Sequence, residues 1–158
     1  MNRVATNLKQ TLLINSKKIY VMNYLILFIT SLLYALYVAI IKTTKGIDFQ
    51  ELLKSSPYTS IMFIVILLNV LVGYILWINS NNFFNSKKNR SILLDLSICQ
   101  LIIGNIFSFF AFVATFLSFK YFPNTKSDKK TSHLVSIVII ANIFYGLCFL
   151  LLIRLTLS

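Results

Sequence analysis

The stretch that decides the fold is Ser91–Phe110, which reads SILLDLSICQLIIGNIFSFF. It is apolar enough to lie in lipid, yet it contains Asp95, Gln100 and Asn105. It belongs to one of four long apolar runs, at residues 19–41, 61–78, 92–119 and 134–157. About 20 apolar residues suffice for a helix to cross a hydrocarbon core of about 30 Å. The sequence therefore predicts an all-α integral membrane protein with four transmembrane helices in an antiparallel bundle.

The composition agrees with a membrane protein. Of the 158 residues, 58% are hydrophobic and only 12% are charged, and the mean hydropathy is +0.81. Cys99 and Cys148 both lie inside predicted helices, where a thiol usually behaves as a small apolar group. Their spacing matches neither a disulfide framework nor a metal site, so we expect no cofactor and no bound metal.

The first 18 residues form a basic segment ahead of the first span. Val4, Leu8 and Leu12 recur every four residues among basic side chains, which predicts a short amphipathic helix on the membrane surface. The net charge is +11, and the basic residues flank the spans. They indicate contact with anionic lipid headgroups and no nucleic-acid partner, because no basic domain exists outside the membrane.

Counting basic residues on the two sides of four spans tests the orientation. The loops on the terminal side contain Arg3, Lys9, Lys17, Lys18, Lys87, Lys88, Arg90 and Arg154. The opposite side contains Lys42, Lys45, Lys54, Lys120, Lys126, Lys129 and Lys130. The balance favours a multi-pass protein of the cell membrane with both termini in the cytoplasm, although near-equality also permits insertion in both orientations.

Polar residues recur near the centres of the spans. The second span reads IVILLNVLVG and the fourth reads IVIIANIFYG, so each has an asparagine four residues before a glycine. The third has Gln100 four residues before Gly104. The similarity of the second and fourth spans has two explanations, duplication of a two-helix unit and biased codon usage. Because an unpaired amide in lipid costs several kcal/mol, we expect the groups near the span centres to face one another, namely Thr30, Ser31, Asn69, Gly104, Asn105 and Asn142. The candidates for helix packing or partner binding are Asn69, Gly73, Ser97, Gln100, Gly104, Asn105, Asn142 and Gly146.

The third span also carries a stripe of small and polar residues at helical spacing, which is typical of a helix-packing face. The stripe consists of Ser97, Gln100, Gly104, Ser108, Ala111, Thr115 and Ser118. These patterns predict helix packing first and contact with a ligand, peptide or partner second.

Asp95 is the one acidic residue in the apolar runs. It lies about one turn from the expected helix start, where a carboxylate is favourable to the helix dipole. Arg154 lies late in the fourth span and can extend toward the headgroups. Four antiparallel spans would place both at the same membrane face, so Asp95 and Arg154 are a candidate interfacial charge pair.

No catalytic constellation is present in the sequence. It has one histidine and four acidic residues, and it contains no zinc-protease motif, nucleophile elbow or glycine-rich phosphate loop. Enzymatic activity is therefore not expected.

Two classes of function remain. The first is a non-enzymatic membrane protein that binds another helix or a peptide, as the accessory subunit of a membrane complex or as an immunity protein against a bacteriocin or antimicrobial peptide. The second is a small homo-oligomeric transporter or channel, or a partner subunit of an ABC exporter permease. The amide layer favours the first class, because amides do not titrate and so cannot couple transport to protons.

Overall fold

The computed structural model describes residues 2–80, 83–85, 88–118 and 131–157, and these residues are helical apart from short connections. The helices are α1 (Asn2–Lys45), α2 (Phe49–Ser55), α3 (Pro57–Ile78), α4 (Lys88–Ile102), α5 (Ile106–Ser118) and α6 (Thr131–Leu157), with one 3-10 turn at Phe83–Asn85. Three stretches are long and apolar enough to cross a membrane, namely Lys17–Lys45, Pro57–Ile78 and Leu134–Leu157. They confirm the predicted runs 19–41, 61–78 and 134–157.

Helix α1 is continuous from Asn2 to Lys45. Its 44 residues correspond to about 66 Å, which exceeds the thickness of a bilayer. The predicted interfacial segment, 1–18, is therefore not a separate helix. The side chains of residues 2–16 lie outside the described residues, so contact of this segment with a lipid surface stays a prediction. The helix ends where Gly46 adopts a φ of 63°.

A short helix on the surface of the bundle connects α1 to α3. Helix α2 packs on α3, and the rings of Phe49 and Phe63 meet edge to face with centroids 5.2 Å apart. Helix α3 begins at Pro57, a residue suited to the first helical position. Its preceding residue, Ser56, accepts a hydrogen bond on its hydroxyl from the Thr59 N–H at 3.3 Å.

The predicted third span, 92–119, is not one helix. It is interrupted at residues 103–105, and α4 and α5 fold against each other as an antiparallel hairpin. The clearest marker is the Arg90 guanidinium, which lies 4.5 Å from the ring centroid of Phe116. In a straight helix these residues would be about 39 Å apart. The expectation of four full-length spans is therefore wrong at this run.

The remaining helices surround this hairpin. Helix α3 packs against α1 and α6, α5 packs against α1, and α4 packs against α6. Helix α1 is antiparallel to α3, because the Tyr20 hydroxyl donates to the Leu76 carbonyl at 2.7 Å while Tyr34 lines the same cavity as Met62. The order around the bundle is α1, α3, α6, α4, α5.

The hairpin covers one half of the bundle, which we call the closed half. There Tyr20 packs against Phe83 and Phe84, with ring centroids 4.6 and 5.3 Å apart. The hairpin side chains Leu93, Leu96 and Phe112 are fully buried. Since lipid is as apolar as leucine, this core is held by close packing and hydrogen bonds more than by exclusion of water.

The open half consists of residues 31–45 of α1, 57–68 of α3 and 146–157 of α6, which extend beyond the hairpin turn. In α6, Leu134, Val138 and Ala141 are buried, but beyond Tyr145 only Cys148 is. This burial indicates that the first half of α6 packs against the hairpin and that α6 runs antiparallel to α3. In α1, exposed apolar side chains surround the helix in the open half: Leu32, Leu33, Leu36, Tyr37 and Ile40.

Candidate functional site

The hairpin turn lies in the middle of the bundle and is built by two residues. Gly104 has a φ of 87°, a conformation that glycine adopts without steric cost. The Asn105 N–H donates to the Gln100 carbonyl at 2.8 Å, and the Gly104 N–H donates to the Leu101 carbonyl at 3.0 Å. These two bonds form a Schellman motif, so the carbonyls of Gln100 and Leu101 at the end of α4 are hydrogen-bonded inside the bundle.

Asn105 begins the second arm of the hairpin. Its side-chain oxygen accepts from the Ser108 N–H at 3.3 Å, as expected of an N-cap residue. Its amide nitrogen donates to the Thr30 hydroxyl on α1 at 3.5 Å, a long hydrogen bond. The turn is therefore tied to α1 at the level predicted for the polar layer.

A second polar cluster joins three helices beside the turn. The Asn69 side-chain oxygen accepts from the Gln100 amide at 3.0 Å and from the Tyr145 hydroxyl at 2.6 Å. All three side chains are at least 95% buried. The structure thus brings together two of the candidate residues, Asn69 and Gln100, and it adds Tyr145, which the sequence pattern did not indicate.

A cavity of about 210 Å³ adjoins the turn on its open-half side. Its polar walls are Thr30 and Tyr34 from α1, Asn69 from α3, and the turn residues Gly104 and Asn105. Its apolar walls include Met62, Val65 and Ile66 of α3. The lining is uncharged but rich in hydrogen-bonding groups.

Two lining residues have polar atoms without partners. The Tyr34 hydroxyl is buried and lies near Thr59 without making a hydrogen bond of ordinary geometry. Asn69 uses its oxygen twice, and its amide nitrogen donates no hydrogen bond within the described residues. Lipid offers such groups no hydrogen bond, and these two adjoin a cavity, which makes it the candidate functional site.

A further polar contact ties α1 to α5 in the closed half. The Asn23 amide donates to the Thr115 hydroxyl at 2.8 Å, and both residues are fully buried. The predicted stripe included Thr115, but Asn23 was not predicted. Its signal was an amide inside the apolar run 19–41.

The predicted glycines have different environments. Gly73 is buried, and a Cβ there would lie 3.4 Å from the Phe28 ring, so it packs α3 against α1. Gly146 is exposed, and a Cβ added there would have no atom of another residue's side chain within 4 Å. The repeated asparagine–glycine pattern therefore marks a close helix contact in α3 and none in α6 within the described residues.

Two further candidates from the polar layer are buried to different degrees. The Ser97 hydroxyl is buried and donates to the Leu94 carbonyl of its own helix at 2.7 Å. Asn142 is partly buried, and its side-chain oxygen has no hydrogen-bond partner among the described residues. Neither residue joins the Asn69 cluster.

The predicted charge pair is not brought together. Asp95 and Arg154 are both exposed, and neither forms an ion pair within the part of the chain that the structure describes. Asp95 precedes Gln100 toward the closed half, whereas Arg154 follows Tyr145 toward the open half. The hairpin explains this separation, because α4 turns back instead of crossing.

The arrangement is suited to binding through neutral hydrogen bonds. Amide and hydroxyl groups lie at the turn of a broken helix, next to a cavity and to the uncovered halves of α1, α3 and α6. Irregular backbone at this depth is tolerated only where protein surrounds it or where it lines a cavity. Comparison of the chain with family models, curated proteins and solved structures finds no match.

Proposed function

We propose that this chain is a non-enzymatic membrane protein that binds a transmembrane helix or a membrane-active peptide. It would act as the accessory subunit of a membrane complex or as an immunity protein against a bacteriocin or antimicrobial peptide. One observation carries the proposal: the hairpin ends halfway, so polar groups of its turn and of Asn69 line a cavity between α1 and α3, where the uncovered halves of these two helices begin. A helix bound in the open half would cover these polar groups and the uncovered helix halves.

The proposal includes a membrane topology. α1, α3 and α6 are the crossings, and the hairpin enters and leaves on one side. Three crossings place the two termini on opposite sides, in contrast to the expected pair of cytoplasmic termini. The charged loops 81–87 and 119–130, which contain many of the counted lysines, then lie on the same side.

Site-specific photo-crosslinking tests the binding proposal. A benzoylphenylalanine at Leu36 lies in the open half of α1, and one at Met22 lies in the closed half with a similar exposure of 51 against 54%. In the membranes of the producing cell, we expect a discrete adduct at position 36 and none at position 22. An adduct with a larger protein would indicate an accessory subunit, and an adduct with a short peptide would indicate an immunity protein. An adduct of twice the chain's mass would indicate self-association.

Absence of a discrete adduct at position 36, or equal adducts at both positions, contradicts the binding proposal. Both positions face the outside of the same helix, so the pair controls for general contact with lipid and with crowded membrane proteins.

A small transporter or channel is the second candidate, and one observation favours it. Broken helices whose ends meet at mid-depth form the binding sites of many transporters, and the α4–α5 turn beside the cavity has this arrangement. Purified protein in liposomes discriminates: ion or solute flux above that of empty liposomes supports transport and contradicts a purely binding role.

A further inference from the structure

We propose that the cavity at the hairpin turn binds a small uncharged molecule with an apolar body and a hydrogen-bond acceptor, such as a carbonyl oxygen. This site borders the partner surface of the open half, since Tyr34 and Met62 line the cavity and belong to that half. It requires no partner helix, so either proposal can fail without the other.

The free donor in the cavity belongs to Asn69. The residue is 5% exposed and lines the cavity. Its oxygen is held by Gln100 and Tyr145 together, which fixes the side-chain orientation and leaves the NH2 group as the available atom. A buried amide nitrogen gains most from an acceptor placed opposite it.

Several acceptors of the hairpin turn are already occupied within the protein. The carbonyls of Cys99, Gln100 and Leu101 accept the N–H groups of residues 103–105. The Asn105 side-chain oxygen is occupied by the Ser108 N–H. These acceptors are therefore not available to the Asn69 amide nitrogen, and a ligand with an acceptor would pair with it.

Charge and size restrict the ligand further. No lining residue is charged, so an anion would enter the bilayer centre without a counter-ion, at high cost. The volume is about 210 Å³, and an apolar cavity of about 150 Å³ already accommodates benzene. A ketone or amide with an aromatic or branched aliphatic body fits these limits.

The experiment uses 4-fluoroacetophenone as the probe and its alkene isostere, 1-fluoro-4-isopropenylbenzene, as the control ligand. Both are titrated into nanodiscs containing the full chain and into empty nanodiscs, and fluorine NMR separates bound probe from probe dissolved in lipid. We expect saturable binding of the ketone and about fivefold to tenfold weaker binding of the alkene, the ratio that one neutral hydrogen bond supplies.

Two variants locate the bound probe. Met62→Trp fills the cavity from α3, and Leu67→Trp places the same ring on the exposed face of α3, where Leu67 is 55% exposed. We expect Met62→Trp to abolish saturable binding and Leu67→Trp to retain it. If circular dichroism shows that Met62→Trp does not fold, Ile66→Phe replaces it, because it fills the cavity from the same helix.

Three outcomes overturn the proposal. They are the absence of saturable ketone binding to the wild-type chain, equal affinity for ketone and alkene, and unchanged binding in a folded variant with a filled cavity. The first two are measured on the wild-type protein and do not depend on the folding of a variant.

Discussion

The Asn69 cluster gives a quantitative test of how this bundle is held together. Asn69→Leu removes the acceptor of two hydrogen bonds, from Gln100 at 3.0 Å and from Tyr145 at 2.6 Å. Side-chain hydrogen bonds in membrane proteins contribute on average about 0.6 kcal/mol each and at most about 1.7. Leucine has the same branched skeleton as asparagine with bulkier end groups, so no cavity is created. From these bond energies we expect a loss of about 1–3 kcal/mol in the free energy of unfolding.

A matched control is available on α6. The Asn142 oxygen has no hydrogen-bond partner among the described residues, so Asn142→Leu should leave stability unchanged or raise it. Unfolding is measured in mixed micelles by circular dichroism and by the fluorescence of Trp77, the single tryptophan. A loss for Asn142→Leu equal to that for Asn69→Leu, or no loss for either, refutes the assignment of stability to the Asn69 cluster.

A double-mutant cycle separates the two bonds. Tyr145→Phe alone removes the shorter bond and should cost about 0.5–1.5 kcal/mol. In the Asn69→Leu background the same change removes a hydroxyl that has already lost its partner, so its cost should fall to near zero. Additive losses would show that the Tyr145 hydroxyl and Asn69 act independently.

Three further predictions follow from the hairpin and the cavity. Gly104→Ala should destabilise the protein by about 1–2 kcal/mol, because the φ of 87° at Gly104 is left-handed. The control Gly146→Ala, in an exposed helical position, should be neutral or stabilising by up to about 1 kcal/mol. Equal effects of the two substitutions in thermal unfolding would contradict the turn assignment. Tyr34→Phe removes an unpaired buried hydroxyl and should not lower the unfolding free energy, so a loss above about 1 kcal/mol would show that the hydroxyl has a partner. Single cysteines are placed in loops 81–87 and 119–130 of a chain without Cys99 and Cys148. Both should react with an impermeant maleimide from the same side of the membrane. Labelling from opposite sides would show that the chain crosses the membrane four times.

The sequence was sufficient to predict the three long apolar helices α1, α3 and α6. Continuous apolar runs determine where a helix can lie in lipid, and α3 and α6 end at the predicted residues, Ile78 and Leu157. The start of α1 was not predictable in the same way, because its basic first turns are helical but not apolar. Helix formation and membrane insertion have different sequence requirements.

The hairpin could have been recognised from two features that were interpreted otherwise. The run 92–119 is clearly longer than the roughly 20 residues that a span requires. Gly104 followed by Asn105 combines the residue preferred just after a helix with one preferred just before the next. The small-residue stripe suggested a single helix. Its members Ser97, Gln100, Ser108 and Thr115 are buried in the two arms of the hairpin, so the stripe faces inward on both sides of the interruption.

The sequence predicted that a polar layer exists, but it did not predict which side chains form hydrogen bonds within it. The cost of an unpaired amide in lipid predicted that polar groups would face one another, and the structure pairs Asn69 with Gln100 and Asn105 with Thr30 of α1. Tyr145 was not identified because a tyrosine in an apolar run resembles a lipid-facing aromatic residue. Asn142, which matches Asn69 in the sequence repeat, points its oxygen to no partner within the described residues, so similarity of local sequence did not determine the contact.

The exposed apolar side chains of the open half do not by themselves require a partner. In water, faces such as Leu32, Leu36 and Ile40 would indicate a missing subunit, but lipid covers them without cost. The polar atoms at the end of the hairpin are different, because lipid offers the Asn69 amide nitrogen and the Tyr34 hydroxyl no hydrogen bond. The partner surface is therefore best sought where these atoms meet the open half, and a partner that contacts only the exposed leucines would be bound no more tightly than lipid itself.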